Sequence, residues 1–318
     1  MDLVTKLESN DMDAVSTDLL SSLLKYFPTE EETLMIKNVR REEVVRNCDV
    51  LCWEAARRPT LKLRMELAIA REHIVQDLAR YLDSTKRIRA ACNTMRSSLF
   101  IHLLYKCLQY GNYLNQGTAN ANVVGFLLPS LPSVLTAKGK INNAENDRIV
   151  DLLVQHMEFD NAVLQDAINS LQSAKSIMLD EIEAASKELR SSVSRLQQHL
   201  ITKGGGDVSL LEAYQASLKD AETSNSKLTS ELQDIREIEA SLQSYFWVKS
   251  VKLESMISIA LEAFTTVSDC LKMRTTVKLR CSGETAGRER LTTRRRCLQT
   301  KSLTVEEMRK MFLQAANQ

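Results

Sequence analysis

The stretch "YGNYLNQGTANANVVGFLLPSL", from Tyr110 to Leu131, decides how the chain is to be read. It holds no charged side chain and mixes large apolar groups with Gly, Asn and Pro, while the sequence on either side is charged and helix-forming. Two readings follow from the residues alone. In one, a long apolar loop folds back onto its own core. In the other, the segment is a preformed docking surface for a partner's anchor residue, as apolar patches on fixed backbone often are. Gly111 lacks a Cβ, so the chain can turn there or admit another backbone closely. Asn112 and Asn115 can satisfy free backbone groups through local side-chain hydrogen bonds. Tyr113, Leu114, Val123, Val124, Phe126, Leu127, Leu128 and Leu131 supply the apolar surface in either reading.

Working outward, Gly and Pro mark the joints. There are nine Gly and four Pro in 318 residues, and six of them fall between Gly111 and Gly139. Between the remaining marks the pattern is helical, and alternating β-branched runs are missing. A first helix is predicted near Val15–Phe27, followed by Thr29 as a cap with Glu30–Glu32 in the next first turn. Further helices are predicted over Glu43–Arg57, Leu61–Leu82 and Ile88–Tyr110, the last rich enough in apolar residues along one face to be deeply buried. Beyond Asn146 a long pattern continues to about Lys203. Leu164, Ile168, Leu171, Met178, Ile182, Ala185 and Leu189 step by three and four, with Lys175 interrupting the seam. As a single helix from Asn161 to Ile201 it would span about 60 Å. The triplet Gly204–Gly206 turns the chain into a return helix through Leu210, Leu218, Leu228, Leu232, Ile235 and Leu242. A last helix carries Phe246, Leu253, Ile257, Leu261 and Phe264.

The predicted fold is all-α: an elongated helical domain with a long coiled-coil-like helix pair and an irregular Gly/Pro-containing segment. A composition of 44% hydrophobic and 26% charged residues suits a globular protein. No apolar run approaches the ~20 residues of a membrane span, and the acidic start is unlike a signal peptide. Seven cysteines scattered through helical patterns are read as reduced thiols, which places the chain in the cytoplasm. The net charge of +1 conceals an asymmetry: residues 272–301 carry ten Lys or Arg against two Glu. From Thr275 the chain reads as flexible and basic. It closes with a short amphipathic helix, Thr304–Ala316, whose apolar face is Val305, Met308, Phe312 and Leu313 and whose start has a capping box of Thr304 and Glu307.

No phosphate-binding Gly loop, HExxH, CxxC pair or GxSxG is present. Cys48 and Cys52 have the spacing of half a metal site, but no second pair completes it. His102 and Cys107 could be a base and a nucleophile, yet both are placed on or near a packed helix face. No enzyme, cofactor or metal is expected.

The segment "GNYLNQG" with the downstream "GF" resembles the signature of the formin homology-two domain, the actin-assembly module of formins, in its region called the post. "LLSSLLKYFPTEEETLMIKN", "RRPTLKLRMELAIAREHIVQDLARYLDSTKRIRAACNTMRSS" and "LQSYFWVKSVKLESMISIALEAFTTVSDCLKM" are similar to that domain's other helices, in the right order. The resemblance covers about residues 11–273. It implies a formin homology-two-like domain over 1–273, with a knob remnant at 1–60, the post at 61–160 and long coiled-coil helices at 161–273. Residues 274–318 are the basic, mostly flexible tail with its terminal helix. The implied function is regulation of actin filament assembly through barbed-end or filament-side binding. The alternative is a non-catalytic helical scaffold that keeps the formin-like fold without actin nucleation.

In the family, the post receives an aromatic residue from a lasso of the partner subunit. By resemblance, Gly111, Asn112, Tyr113, Leu114, Asn115, Gly125 and Phe126 are the residues of that groove, and a second copy or a lasso-bearing formin is the partner. Lys138, with Lys140 beside it, matches the position of a basic actin contact. The chain is expected to lack the lasso, the linker, the isoleucine-bearing knob helix and a proline-rich segment. Arg294, Arg295 and Arg296 of the tail suit the acidic surface of actin or microtubules. Nucleic acid is disfavoured, since no aromatic platform accompanies them. The implied localisation is cytoplasmic and cytoskeletal.

Overall fold

In chain order the helices of the computed structural model are α1 (Thr17–Lys25), α2 (Glu30–Ile36), α3 (Asn47–Arg57), α4 (Leu61–Met95), α5 (Ser98–Leu114) and α6 (Leu131–Thr136). Strands β1 (Lys138–Ile141) and β2 (Ala144–Arg148) follow, then α7 (Ile149–His156), α8 (Asn161–Ala174), α9 (Leu179–Lys203), α10 (Val208–Tyr245) and α11 (Leu253–Glu284). The structure describes residues 15–44, 46–118, 121–141, 144–203 and 208–284. The Gly204–Gly206 turn, Arg294, Arg295, Arg296 and the Thr304–Ala316 helix lie outside the described residues. The protein is almost entirely helical, and among the described residues no helix is long and apolar enough to cross a membrane.

The chain forms two compact units, residues 1–83 with 180–232 and residues 84–179 with 233–318. In the first, α1 lays Leu20 against Leu61, Met65 and Ala68 of α4, with Leu23, Leu24 and Phe27 packed around them. The α2 start is set by a reciprocal box: the Thr29 hydroxyl accepts from Glu32 N–H, and the Glu32 carboxylate accepts from Thr29 N–H at 2.8 Å. The Trp53 indole N–H donates to Val39 O at 3.1 Å, and the Arg57 guanidinium lies 3.7 Å over the Trp53 ring. Between α9 and α10, Ser186 Oγ donates to Asn225 Oδ1 at 3.0 Å, and Asn225 Nδ2 donates back to Ser186 O at 3.2 Å. A buried asparagine whose amide is paired on both sides fixes one register for the two helices.

The second unit is built around Phe100, fully buried, with its ring centroid 5.5 Å from Phe264 and 6.0 Å from Phe246. Helix α11 packs on α6, α7 and α8, while α5 packs on α6, α7 and β1. Two helix starts here are capped from a distance. Leu179 N–H, at the head of α9, donates to the Glu254 carboxylate at 2.9 Å, and Leu253 N–H, at the head of α11, donates to the buried Glu239 at 2.9 Å. At the end of α10, Trp247 takes φ +56°, a left-handed conformation that bulky residues rarely hold.

Several expectations are corrected. No single helix runs from Asn161 to Ile201; it breaks between Ala174 and Leu179, where Lys175 interrupts the apolar seam and stands exposed. Helices predicted as Leu61–Leu82 and Ile88–Tyr110 are instead cut at Arg96–Ser97. Ser97 caps the start of α5 by accepting from Phe100 N–H at 3.3 Å, while buried Thr85 sits inside an unbroken helix. The basic segment from Thr275 begins in helix, which continues to Glu284. Residues 138–141 and 144–148, where the sequence pattern shows no strand, form an antiparallel ribbon with Lys138 opposite Arg148 and an irregularity between Gly139 and Ile141.

Candidate post surface and its base

The deciding segment starts inside α5. Gly111 to Leu114 are its last turn, and Asn115 N–H closes it by donating to Gly111 O at 3.0 Å. Gly111 is therefore not a turn: it is helical, and a Cβ built on it meets only Ile149 Cδ1 at 4.0 Å. The reversal comes later, at Gly117 with φ +84° and Asn122 with φ +62°. Both sit in the left-handed region, which Gly and Asn tolerate best. Thr118 binds Asn115 O through its N–H at 3.0 Å and its hydroxyl at 2.8 Å.

The returning chain is tied to α5 by one side chain. Asn112 Nδ2 donates to Val123 O at 2.8 Å, eleven positions on. Its Oδ1 is buried and accepts no hydrogen bond among the described residues. Past Phe126, Leu128, Leu131 and Leu135 are buried, with Pro129 and Pro132 opening the short helical turns where a missing N–H costs nothing.

The segment's apolar residues thus divide into two rows. Leu128 and Leu131 seal the core, whereas Tyr113 (47%), Val123 (42%), Val124 (46%) and Leu127 (60%) are exposed. Leu114, Gly125 and Phe126 are half-buried between them. Through its Nδ2 bond the structure brings Asn112 beside Val123 of the returning segment.

Lys138 is exposed at the first position of β1, and Lys140 follows in the same strand, its side chain outside the described residues. The foot of this ribbon is clamped by a cluster that the sequence reading missed. Arg148, the last residue of β2 and the N-cap of α7, grips Asp151 with Nε and Nη2, each at 3.0 Å, while its backbone N–H donates to the same carboxylate at 3.0 Å. Cys270 Sγ donates to Asp151 Oδ1 at 3.1 Å. The Arg148 fork holds the Asp151 carboxyl down to about 2. Burial, with the adjacent carboxylate, pushes the Cys270 thiol up to about 11. The Arg-x-x-Asp spacing at a helix start was the available signal for half of this cluster; Cys270, far along the chain, left none.

The thiol and base considered from sequence are not brought together. Cys107 is fully buried and pushed up to about 12 by burial, while His102 is exposed, five residues and so about 140° round α5. Of the two residues expected on or near the packed face, Cys107 is on it and His102 is turned to solvent. Cys52 is half-buried and forms no disulfide; the Cys48 side chain lies outside the described residues. Among the described residues no three His, Cys, Asp or Glu side chains group to hold a metal ion.

The described residues form a helical body that carries an apolar loop surface. The sequence model described as Formin Homology 2 Domain matches residues 1–272, and the chain belongs to that family. Such domains are non-catalytic scaffolds, and family members act in actin assembly. The chain is 24% identical over 226 residues to Formin-like protein 20 of Arabidopsis thaliana, covering 69% of this chain and 13% of that protein. It is 23% identical over 272 residues to Formin-like protein 7 of Oryza sativa subsp. japonica, covering 82% and 19%. With Formin-like protein 21b of Arabidopsis thaliana the identity is 24% over 224 residues, covering 69% and 55%. The chain thus spans between about an eighth and about half the length of these relatives.

Proposed function

We propose that the chain regulates actin filament assembly, using the Gly111–Asn115 and Gly125–Phe126 surface to receive an aromatic-bearing lasso and Lys138 with Lys140 to touch actin. The observation that carries this reading is the exposed row of Tyr113, Val123, Val124 and Leu127, held on a buried base and tied down by Asn112. Four large apolar side chains left in water on ordered backbone suit a hot-spot contact, in which an anchor is buried at the centre of a well-packed patch. The buried, unused Asn112 Oδ1 adds an acceptor that an indole or amide N–H of the incoming segment can satisfy. The partner is a second copy or another lasso-bearing formin. The basic tail with Arg294, Arg295 and Arg296 adds salt-sensitive attraction to the acidic surface of actin or microtubules.

The test is fluorescent actin assembly and filament pelleting with the purified chain, alongside binding of a synthetic lasso peptide. Altered elongation or co-pelleting is expected, and both fall with Lys138→Glu. Unchanged elongation without pelleting at high micromolar protein overturns the actin reading. If the lasso peptide still binds in that case, the chain is a scaffold that works through the same surface.

A further inference from the structure

A second surface, independent of the post, lies wholly within the unit of residues 1–83 and 180–232. An open groove of about 790 Å³ runs between α4 and α9, floored by buried Ile74 of α4 and Leu189 of α9. Small molecules are held by polar groups converging on one point. This lining is instead strung along several helical turns, from Ala185 to Thr202 on the α9 side. The α9 stripe that borders it is complementary to its own reversal. About Ser192 as centre, Ala185 is matched by His199, Glu188 by Arg195 and Leu189 by Leu196. Farther out, Glu181 is matched by Lys203 at the same spacing. At about 100° per residue, all of these fall within about 60° of Ser192 around the helix. Glu188 and Arg195 lie to one side of it, Leu189 and Leu196 to the other. The four charged residues are exposed and make no ion pair among the described residues; Arg195 donates to Ser192 Oγ at 3.0 Å.

We infer that this stripe is a homodimer contact, in which α9 of a second copy lies antiparallel along α9 with Ser192 on the two-fold axis. In an isologous contact a residue that meets a second one is met by it in return, so the stripe must fit its own reversal, as this one does. Glu188 then stands level with the partner's Arg195 along one side of the pair, and Leu189 with the partner's Leu196 along the other. The axis repeats each of these contacts, and Glu181 faces the partner's Lys203 at both ends. Parallel pairing would set Glu188 against Glu188 and Arg195 against Arg195, so the charges select the antiparallel arrangement. Small Ser192 and Ala185 let the helices approach, and each α9 enters the groove of the other copy beside its Ile74. With few apolar pairs and a polar surround, the contact belongs to the weak, concentration-dependent class. It uses a different face from the post and stands whether or not the post binds a lasso.

The test is sedimentation velocity of the full chain carrying Gly111→Trp, which blocks the post, from low to high micromolar protein. A reversible dimer is expected. Glu188→Arg alone and Arg195→Glu alone should each weaken it about tenfold or more, since each sets like charges together twice. Both changes in one chain exchange the pair and should restore the dimer, with helical content by circular dichroism the same throughout. Ser192→Cys should be joined to itself between copies by a short bismaleimide, mapped by mass spectrometry, whereas Lys187→Cys, on the far side of α9, should not. A monomer at every concentration, a dimer indifferent to either reversal, or single reversals that the double change does not rescue, overturns the proposal.

Discussion

Gly111→Ala separates the structure from the simpler reading of Gly111 as a bend. In α5 the residue is helical, and the added methyl finds Ile149 Cδ1 at 4.0 Å, an ordinary van der Waals contact. Replacing Gly with Ala inside a helix is worth about 0.5–1 kcal/mol through the entropy of the unfolded chain. Because Gly111 lies in the last turn, the lower half of that range applies, raising the melting temperature by about 1 °C in a chain of this size. Urea titration followed by circular dichroism gives the free energy, and calorimetry gives the temperature. A loss of stability, rather than a gain, would refute the argument, since it would require the backbone at Gly111 to leave the helix or Ile149 to be tighter than it stands. Gly111→Trp asks the functional question at the same position. The indole blocks the post surface, so lasso-peptide binding should disappear; binding that persists removes Gly111 from the groove.

Asp151→Asn should destabilise the foot of the ribbon by about 1 kcal/mol at neutral pH, a figure discounted because the Arg148–Asp151 pair is about a third exposed. The folded-state carboxyl is depressed to about 2 from 3.8, so its stabilisation is complete above about pH 4 and is lost as pH falls toward 2. Denaturation of both proteins across that window should show their difference closing; a gap that is constant with pH would contradict the assignment. Phe100→Ala empties the space beside Phe246 and Phe264 and should cost about 3–5 kcal/mol, read from urea midpoints. Asn225→Ala removes two hydrogen bonds of buried Ser186, leaving its hydroxyl only Thr229 Oγ1 at 3.4 Å, and should cost about 1–2 kcal/mol, whereas exposed Lys187→Ala should change little. In native protein at pH 8, Cys92 and Cys107 should resist iodoacetamide, being buried and pushed up to about 11 and about 12; labelling of either before unfolding would count against the packing.

Periodicity revealed most of the helices because each buries one stripe, and a stripe leaves its mark at three and four residues. Thr29 and its acidic followers were legible for a similar reason: the cap and its reciprocal partner are neighbours in sequence. Joints were harder. "DSTK" looks like a helix start, but Thr85 is packed inside α4, where tertiary burial outweighs its preference for a cap. The β-ribbon escaped notice because its strands are short and its residues, Lys-Gly-Lys-Ile and Ala-Glu-Asn-Asp-Arg, are poor strand formers held by what flanks them. At the post, the apolar character of the surface was plain in the residues, but not which half of it would be covered. That depends on the Asn112–Val123 bond and on two left-handed residues, which are three-dimensional facts.

The distant caps impose a timetable on synthesis. When α9 leaves the ribosome, the acceptor for its leading N–H, Glu254, is 75 residues away and still unmade. Helix α11, which supplies Glu254, takes its own first-turn acceptor from Glu239, fourteen residues earlier and already emerged. A nascent chain stalled before residue 254 therefore carries α9 with an open, water-bound head, and only later translation can close it.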